Sequence, residues 1–290
     1  MSILIDEKTR VVVQGITGRI GAIQTMHMLK AGTKITAGVT PGRGGSRVEG
    51  VPVYDSVEEA MAEQEINTSV LFVPAPVAEE SCMEAVDAGV KLLILITEHI
   101  PTHDTMRIRA YARSHGARLI GPTTPGVVTP GKCKIGIMPT HLFTPGPVGI
   151  ISRSGTMSYE MAGLLSTEGI GQTTMVGMGG DLVVGTNLVE LLELFQKDPE
   201  TRVVVVHGEI GGTQEEKAAT FIRQKMTKPV IAYMTGKVAL EGSRMGHAGA
   251  VFVGKRGAME NKIKAFREAG VPIADSPGEI ARLVRQALKA

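Results

Sequence analysis

One histidine of the chain lies among small residues in a loop of the carboxyl-terminal third. Positions 244–250 read RMGHAGA, with His247 between Gly246 and Gly249. Glycine has no Cβ, so a phosphate group or another backbone segment can approach the imidazole closely. An imidazole whose second ring nitrogen is held by an acceptor can act as a nucleophile. The segment is therefore a candidate for a reactive histidine with room for a phosphate, or else a Gly-rich turn with a hydrogen-bonded histidine.

A carboxylate that could hold this histidine follows an apolar strand. The run VVVV at 203–206 predicts a buried β-strand, and Glu209 comes three residues later between glycines. A carboxylate that accepts a hydrogen bond from one ring nitrogen of His247 leaves the other nitrogen free to react. We predict this orienting role for Glu209. A solvated acid at a strand end is the alternative.

A third junction places hydroxyl groups and a glycine at the start of a helix. The strand predicted at 147–151 runs into SRSGT at 152–156, and a helix is predicted over 157–169. The free N–H groups of a first helical turn and the helix dipole form an anion site. Serine is also an ordinary N-cap, and the two roles are compatible. We predict that Ser154 and Gly155 hold a phosphate group.

The first half of the chain opens with a second phosphate-binding pattern. A strand at 10–14 leads into glycines at 15, 18 and 21, and a helix is predicted over 22–29. The spacing is close to the dinucleotide-binding fingerprint without matching it strictly. An NAD site requires an acidic residue at the end of the next strand. Arg43 and Arg47 stand there instead, and a guanidinium suits the 2′-phosphate of NADP or the 3′-phosphate of coenzyme A.

Strands alternate with helices along both halves, which predicts doubly wound parallel sheets in an α/β fold. Ligands of such sheets bind at the carboxyl ends of the strands. The Gly-rich turns, Arg43, Glu209 and the His247 loop all fall at that edge. The stretch 121–146 is dense in glycine and proline, and we interpret it as a linker.

Composition narrows the function classes. The net charge of the 290 residues is +2, there is no Trp, and aromatic residues make up 3%, which argues against a nucleic-acid partner. No apolar run approaches the length of a membrane span. The two cysteines, Cys82 and Cys133, indicate reduced, intracellular thiols. We expect a cytoplasmic protein, or the mature form of an organellar one. No Cys and His pair has ligand spacing, so we predict no metal site.

Several motifs together resemble one family, the α subunits of succinyl-CoA synthetases in the nucleoside-diphosphate-forming acyl-CoA ligase superfamily. The resemblance covers the chain from end to end. The motifs that carry it are QGITG (14–18), GVTPG (38–42), FVPAP (72–76), ITE (96–98), SRSGT (152–156), GEIGG (208–212) and RMGHAGA (244–250).

The resemblance implies a fold, a reaction and a set of site residues. A Rossmann-like CoA-binding domain over 1–125 would precede a flavodoxin-like ligase domain over 126–290. His247 would be phosphorylated during turnover, Glu209 would orient it, and Ser154 and Gly155 would hold its phosphate. The coenzyme A contacts would be Thr17, Gly18, Arg19, Ile20, Arg43, Ile96, Thr97 and Glu98, with Tyr159 at the carboxylate substrate. A partner β subunit with an ATP-grasp domain would bind ATP or GTP with Mg²⁺.

Two departures from the family pattern leave the acid substrate open. Thr123-Thr124 replaces the usual Asn-Cys, and Leu182-Val183-Val184 replaces the usual Pro-Ile-Pro. Succinate is the first expectation, with citrate, malate or sulfoacetate as alternatives. An NADP-linked oxidoreductase and a CoA-binding regulatory module are the more distant possibilities.

Overall fold

The computed structural model describes residues 2–254 and 256–289, which divide into two compact units. The first unit comprises Leu4–Met138 and Val183–Gly185. The second comprises, of the described residues, 2–3, 139–182, 186–254 and 256–289.

The first unit is built on a parallel sheet with an antiparallel extension at one edge. The sheet contains β1 (Val11–Gln14), β2 (Ile35–Val39), β3 (Arg47–Val48), β4 (Val51–Tyr54), β5 (Thr68–Leu71), β6 (Leu92–Leu95) and β7 (Arg118–Ile120). The unit also contains β8 (Gly126–Thr129) and β9 (Cys133–Gly136), which lie outside this sheet. Its helices are α1 (Arg19–Lys30), α2 (Val57–Glu63), α3 (Ala78–Asp87) and α4 (Thr102–Ser114), with a 3₁₀ turn at Ala75–Val77.

The strand order of this sheet is β3-β4-β2-β1-β5-β6-β7. Apart from the β3–β4 hairpin, whose strands pair antiparallel, neighbouring strands run parallel. Without β3 the order matches the 3-2-1-4-5-6 arrangement of dinucleotide-binding folds. Strands β1, β5 and β6 are buried along their whole length, as expected for parallel strands with both faces covered. The predicted Rossmann-like fold is confirmed.

Helix α1 begins three residues earlier than the sequence pattern predicts, at Arg19 rather than at position 22. Gly18 is its N-cap and has no side chain to cover the first turn. The N–H groups of that turn are therefore not capped by a side chain, which is the arrangement that a bound phosphate uses.

The stretch 121–146 is not a linker, and that prediction is wrong. Strands β8 and β9 form a buried antiparallel hairpin, and Thr33 Oγ1 donates a hydrogen bond to the carbonyl oxygen of Lys134 at 2.6 Å. A Cβ on Gly126 would lie 1.9 Å from the carbonyl oxygen of Ile135, so the glycine permits close strand approach. The first unit accordingly extends to Met138, while the domain division at 125 and 126 stays a prediction.

The second unit also contains a parallel sheet. Its strands are β10 (Pro145–Ser152), β11 (Gln172–Gly177), β12 (Val203–Glu209), β13 (Val230–Thr235) and β14 (Ile273–Ala274). Its helices are α5 (Gly155–Thr167), α6 (Leu188–Lys197), α7 (Gln214–Lys225), α8 (Met259–Glu268) and α9 (Pro277–Lys289), with a 3₁₀ turn at Thr140–Leu142.

These five strands lie in the order β14-β13-β12-β10-β11 and pair in parallel. That is the 2-1-3-4-5 order of flavodoxin-like folds, whose ligands bind where the strand order reverses. The reversal lies between β10 and β12, and Ser154 and Glu209 follow or end these two strands. Among the described residues, no helix has the length and apolarity needed to cross a membrane.

A single added methyl group tests the close packing of the first turn. A Cβ on Gly21 would lie 2.2 Å from the carbonyl oxygen of Gly15. We expect Gly21→Ala to lower the free energy of unfolding by about 1–3 kcal/mol, because the backbone of the turn must move. Gly278→Ala is the control, since its nearest neighbour, Ser276 Oγ, is 4.0 Å away. Urea unfolding followed by circular dichroism measures both, and an unchanged Gly21→Ala midpoint would contradict the packing described.

Candidate active site

The histidine and the carboxylate singled out from the sequence are in contact. His247 Nδ1 lies 2.9 Å from Glu209 Oε2. Glu209 ends strand β12 and its side chain is 7% exposed, whereas the side chain of His247 is 28% exposed. An ionised carboxylate can only accept hydrogen bonds, so Nδ1 carries the proton of this contact. Nε2 is then the ring nitrogen that remains for reaction.

The imidazole packs against a glycine that the sequence reasoning did not single out. A Cβ on Gly180 would lie 2.5 Å from His247 Cγ, so no other residue fits there without a shift. The backbone N–H of Gly249 donates to the carbonyl oxygen of Gly180 at 3.0 Å, which holds the His247 loop against the same glycine. The glycines that follow strand β11 are the sequence pattern that could have indicated this close contact.

Arg153 is the second functional residue that the sequence did not reveal. Its side chain is 3% exposed, and its Nε lies 3.4 Å from Glu209 Oε1. Its Nη1 donates to Glu215 Oε1 at 3.0 Å and to the carbonyl oxygen of Gly211 at 3.2 Å. Glu215 in turn contacts Lys262 Nζ. Both oxygens of the Glu209 carboxylate therefore face a cationic or protonated group.

These contacts set the protonation of the site. The hydrogen bond to Glu209 raises the pKa of His247, burial opposes the rise, and the charges of Arg153 and Asp181 act against each other. The second histidine of the site behaves differently. Burial, assisted by the Arg153 charge, lowers the pKa of His207 to about 3, so His207 is neutral at ordinary pH.

His207 is bonded through both ring nitrogens. Its Nδ1 lies 3.2 Å from Ser152 Oγ and its Nε2 lies 2.9 Å from Thr235 Oγ1. Ser152 Oγ also donates to the carbonyl oxygen of Ser154 at 2.7 Å. The histidine thus braces the turn that leads into helix α5.

Ser154 and Gly155 occupy the helix start that the sequence predicts. Ser154 is the N-cap of α5, and its Oγ accepts a hydrogen bond from the N–H of Met157 at 3.3 Å. The N–H groups of Gly155 and its neighbour have no intrahelical acceptor, so they can face an anion. Tyr159, one turn further along α5, is half-buried, and burial raises the pKa of its phenol.

The predicted coenzyme A residues lie at the carboxyl edge of the first sheet. The backbone N–H of Thr17 donates to Thr40 Oγ1 at 3.5 Å, and Gly18, Arg19 and Ile20 form the exposed start of helix α1. Asp55 Oδ1 accepts the backbone N–H of Arg43 at 2.9 Å. The Arg43 guanidinium has no ion pair in the described part of the chain, which leaves it available to a phosphate.

Ile96, Thr97 and Glu98 follow strand β6 at the same edge. Thr97 Oγ1 donates to the carbonyl oxygen of Val73 at 2.6 Å, which fixes the turn after the strand. The carboxylate of Glu98 is exposed. The roles of all these residues toward coenzyme A stay predictions.

The two departures from the family pattern adopt distinct environments. Thr123 has a φ of 55°, uncommon for a β-branched residue, and its buried hydroxyl has no hydrogen-bond partner among the described residues. Val184 is 2% exposed whereas Leu182 is 58% exposed. Nothing in the structure explains why these residues replace the usual ones. Within residues 2–254 and 256–289, no group of three or more His, Cys, Asp and Glu side chains could hold a metal ion.

The ion pair between His247 and Glu209 makes a prediction about stability and pH. A pKa raised above the ordinary 6.5 means that the folded state binds the proton more tightly, so the stabilisation is fully present below pH 6.5. It is lost as the pH rises through the folded-state pKa. We expect the difference in melting temperature between the wild type and His247→Asn to be larger near pH 5.5 than near pH 8.5. His207 is present in both proteins and cancels; a difference that is constant with pH would contradict the assignment.

Comparison with known proteins places this geometry in a family. The chain matches the family models for a CoA binding domain over residues 6–99 and for a CoA-ligase over residues 151–282. A solved structure of ATP citrate lyase from Methanothrix soehngenii, in complex with citrate and coenzyme A, is similar with a TM-score of 0.89 and 28% identity. The match covers 99% of this chain and 51% of that chain, so this chain spans about half of its length.

Two curated relatives are similar over all or nearly all of their lengths. The ADP-forming succinate–CoA ligase subunit alpha 2 of Archaeoglobus fulgidus is 54% identical over 288 residues, covering 99% of this chain and 100% of the relative. The corresponding subunit alpha of Staphylococcus epidermidis is 52% identical over 289 residues, covering 100% of this chain and 96% of the relative. The resemblance deduced from the motifs is confirmed, and the chain belongs to the family of succinate–CoA ligase α subunits.

Proposed function

We propose that the chain is the α subunit of an acid–thiol ligase that joins succinate to coenzyme A, coupled to cleavage of a nucleoside triphosphate to the diphosphate and inorganic phosphate, through a phosphohistidine at His247. The observation that carries the proposal is the 2.9 Å contact between His247 Nδ1 and Glu209 Oε2. It fixes the tautomer and directs Nε2 away from the carboxylate, toward an incoming phosphoryl group.

The reaction proceeds in three displacements. His247 Nε2 attacks the terminal phosphorus of the nucleotide, and the nucleoside diphosphate leaves. A carboxylate oxygen of the acid then attacks the phosphohistidine, which forms an acyl phosphate and returns the imidazole. The coenzyme A thiolate attacks the acyl carbonyl, giving the thioester and inorganic phosphate. Each step depends on positioning and on charge stabilisation, which glycine loops and helix N-termini supply.

The nucleotide site belongs to another subunit in this proposal. The sequence contains no Gly-x-x-x-x-Gly-Lys-Ser/Thr motif, and the names of the relatives identify them as alpha subunits. A partner β subunit with an ATP-grasp domain would bind ATP or GTP with Mg²⁺ and deliver the phosphoryl group. The two buried, free cysteines agree with assembly in the cytoplasm, where thiols stay reduced.

Coenzyme A would bind the first unit. The uncapped start of helix α1 offers N–H groups to a phosphate, and Arg43 adds a guanidinium that has no ion pair in the described residues. Arg19, Ile20 and the turn at 96–98 would line the same edge. The absence of an acid at the end of strand β2 makes the dinucleotide alternative weaker, and the family gives the NADP-linked oxidoreductase no support.

Succinate is the proposed acid because the relatives at 54% and 52% identity are named for it. Citrate is the second candidate, since the ATP citrate lyase structure was solved with citrate and shares the fold across the chain. Thr123 and Thr124, together with Leu182, lie in the segments where the sequence departs from the family pattern. Tyr159 is proposed to contact the acid.

The phosphohistidine is tested by labelling the complex of this chain and its β subunit with γ-³²P-ATP. We expect acid-labile label on His247 and none in a His247→Asn variant, because no other imidazole of the site offers a free ring nitrogen. His99→Asn, at an exposed histidine, is the control and should keep the label. Absence of label on His247 in the wild type would refute the mechanism.

The same labelled complex identifies the acid. With coenzyme A present, succinate should discharge the label faster than citrate, malate or sulfoacetate. Faster discharge by another acid of the panel would keep the phosphohistidine and replace succinate as the substrate.

The role of Arg43 is tested with two ligands that differ by one phosphate. We expect Arg43→Gln to weaken binding of coenzyme A about tenfold, the loss of one charge-assisted hydrogen bond, and to leave binding of dephospho-coenzyme A unchanged. Lys30→Gln, at the opposite end of helix α1, is the control for loss of positive charge. Isothermal titration calorimetry of the intact complex measures the affinity for both ligands. If the variant binds both ligands more weakly by the same factor, Arg43 does not contact the 3′-phosphate.

A further inference from the structure

A line of buried charges leads away from His247, beyond the residues that the proposed reaction uses. Lys262 and Glu215 are each 0% exposed and are in direct contact. Glu215 Oε1 lies 3.0 Å from Arg153 Nη1, and Arg153 Nε lies 3.4 Å from Glu209 Oε1. The charges alternate in sign from helix α8 to the imidazole.

A line of buried charges of this kind contributes little to the free energy of unfolding. Removing several charged groups from water costs free energy, and well-packed apolar residues often replace buried ion pairs without loss. The position of the line at the end of strand β12, next to the reacting histidine, suggests a different use. Surface ion pairs on the same helix, such as Lys264 with Glu268 at 3.8 Å, have no such connection.

Arg153 is shared between two carboxylates that hold it unequally. Toward Glu215 it makes an aligned hydrogen bond. Toward Glu209 the contact is only electrostatic, because Arg153 Nε and Glu209 Oε1 are both buried without a hydrogen-bond partner. The strength of that second contact therefore depends on how far the guanidinium is drawn toward Glu215. Lys262 Nζ contacts Glu215 and also lies 3.1 Å from Glu216 Oε2, and by neutralising Glu215 it limits that attraction.

We propose that Glu215 and Lys262 are positioning residues that set the approach of Arg153 to Glu209 and, through Glu209, the proton affinity of His247. The inference rests on the proposed phosphorylation of His247, which needs the neutral imidazole as nucleophile. The charged or titratable groups that face His247 are Glu209, Arg153 and Asp181, with His207 neutral behind them.

Opposite effects follow from removing the two charges. In Lys262→Met the unpaired Glu215 draws Arg153 away from Glu209, whose bare charge then raises the pKa of His247. In Glu215→Gln the guanidinium moves toward Glu209, and the pKa of His247 falls. The double variant removes one positive and one negative charge, so the net charge of the cluster, Glu216 included, is unchanged and the pKa returns to the wild-type range. A residue that acts only on stability would not produce shifts of opposite sign.

The test is carbethoxylation of His247 by diethyl pyrocarbonate in the complex of this chain with its β subunit, followed by peptide mass spectrometry between about pH 5.5 and 8.5. The reagent attacks neutral imidazole, so the rate reports the pKa without turnover. Near pH 6.5 we expect a rate about threefold lower in Lys262→Met and higher in Glu215→Gln, the change that half a pKa unit produces. Lys264→Met is the matched control and should react like the wild type.

Shifts of the same sign in both single variants, or an equal shift in Lys264→Met, would overturn the proposal. If Lys262→Met does not fold, Lys262→Arg and the Lys262→Met/Glu215→Gln double variant decide: both should react at the wild-type rate, and a changed rate in either overturns it. Opposite shifts without ³²P label on His247 would sustain the positioning role and refute the phosphohistidine. Label on His247 without opposite shifts would do the reverse.

Discussion

The site depends on partners that compensate the negative charge of one buried carboxylate. Glu209 is 7% exposed at the end of a central strand, where an unpaired negative charge would be costly. One of its oxygens accepts a hydrogen bond from His247 Nδ1 and the other faces Arg153. The strand, the turn after β10 and the glycine loop each supply one member of this arrangement, so the parallel sheet is what brings the three together.

The two units share one structural arrangement but differ in how the helix start is capped. In each, a strand runs into a helix N-terminus at the ligand-binding edge of a parallel sheet. In the first unit Gly18 leaves the helix start bare and exposed. In the second, Ser154 caps it, and the hydrogen bond from Ser152 Oγ to the carbonyl oxygen of Ser154 braces the turn before it. A bare start suits a ligand that comes and goes, and a braced one suits a group that must be held in one place.

The sequence predicts those parts of the site that have a local sequence pattern. Strand–turn–helix junctions predicted both sheets, and their ends placed Glu209 near His247. The sequence does not indicate the role of Arg153, because arginine is rarely buried and the hydroxyl groups of its turn already explain the motif as a helix N-cap. Lys262 gives no local signal within its helix, since its carboxylate partners, Glu215 and Glu216, lie 47 and 46 positions earlier in the chain. The glycines and prolines of 121–146 predict a linker where the structure has a hairpin, because glycine permits close strand approach as well as flexibility.

The bonding of His207 has a consequence for regioselectivity. Two imidazoles lie at the end of the same sheet, but both nitrogens of His207 are engaged by Ser152 and Thr235 while Nε2 of His247 is not. In the proposed reaction a phosphoryl donor would therefore meet one nucleophile, although this edge of the sheet carries two imidazoles. Because His207 stays neutral, the imidazole charge of this centre also changes by a single proton, that of His247.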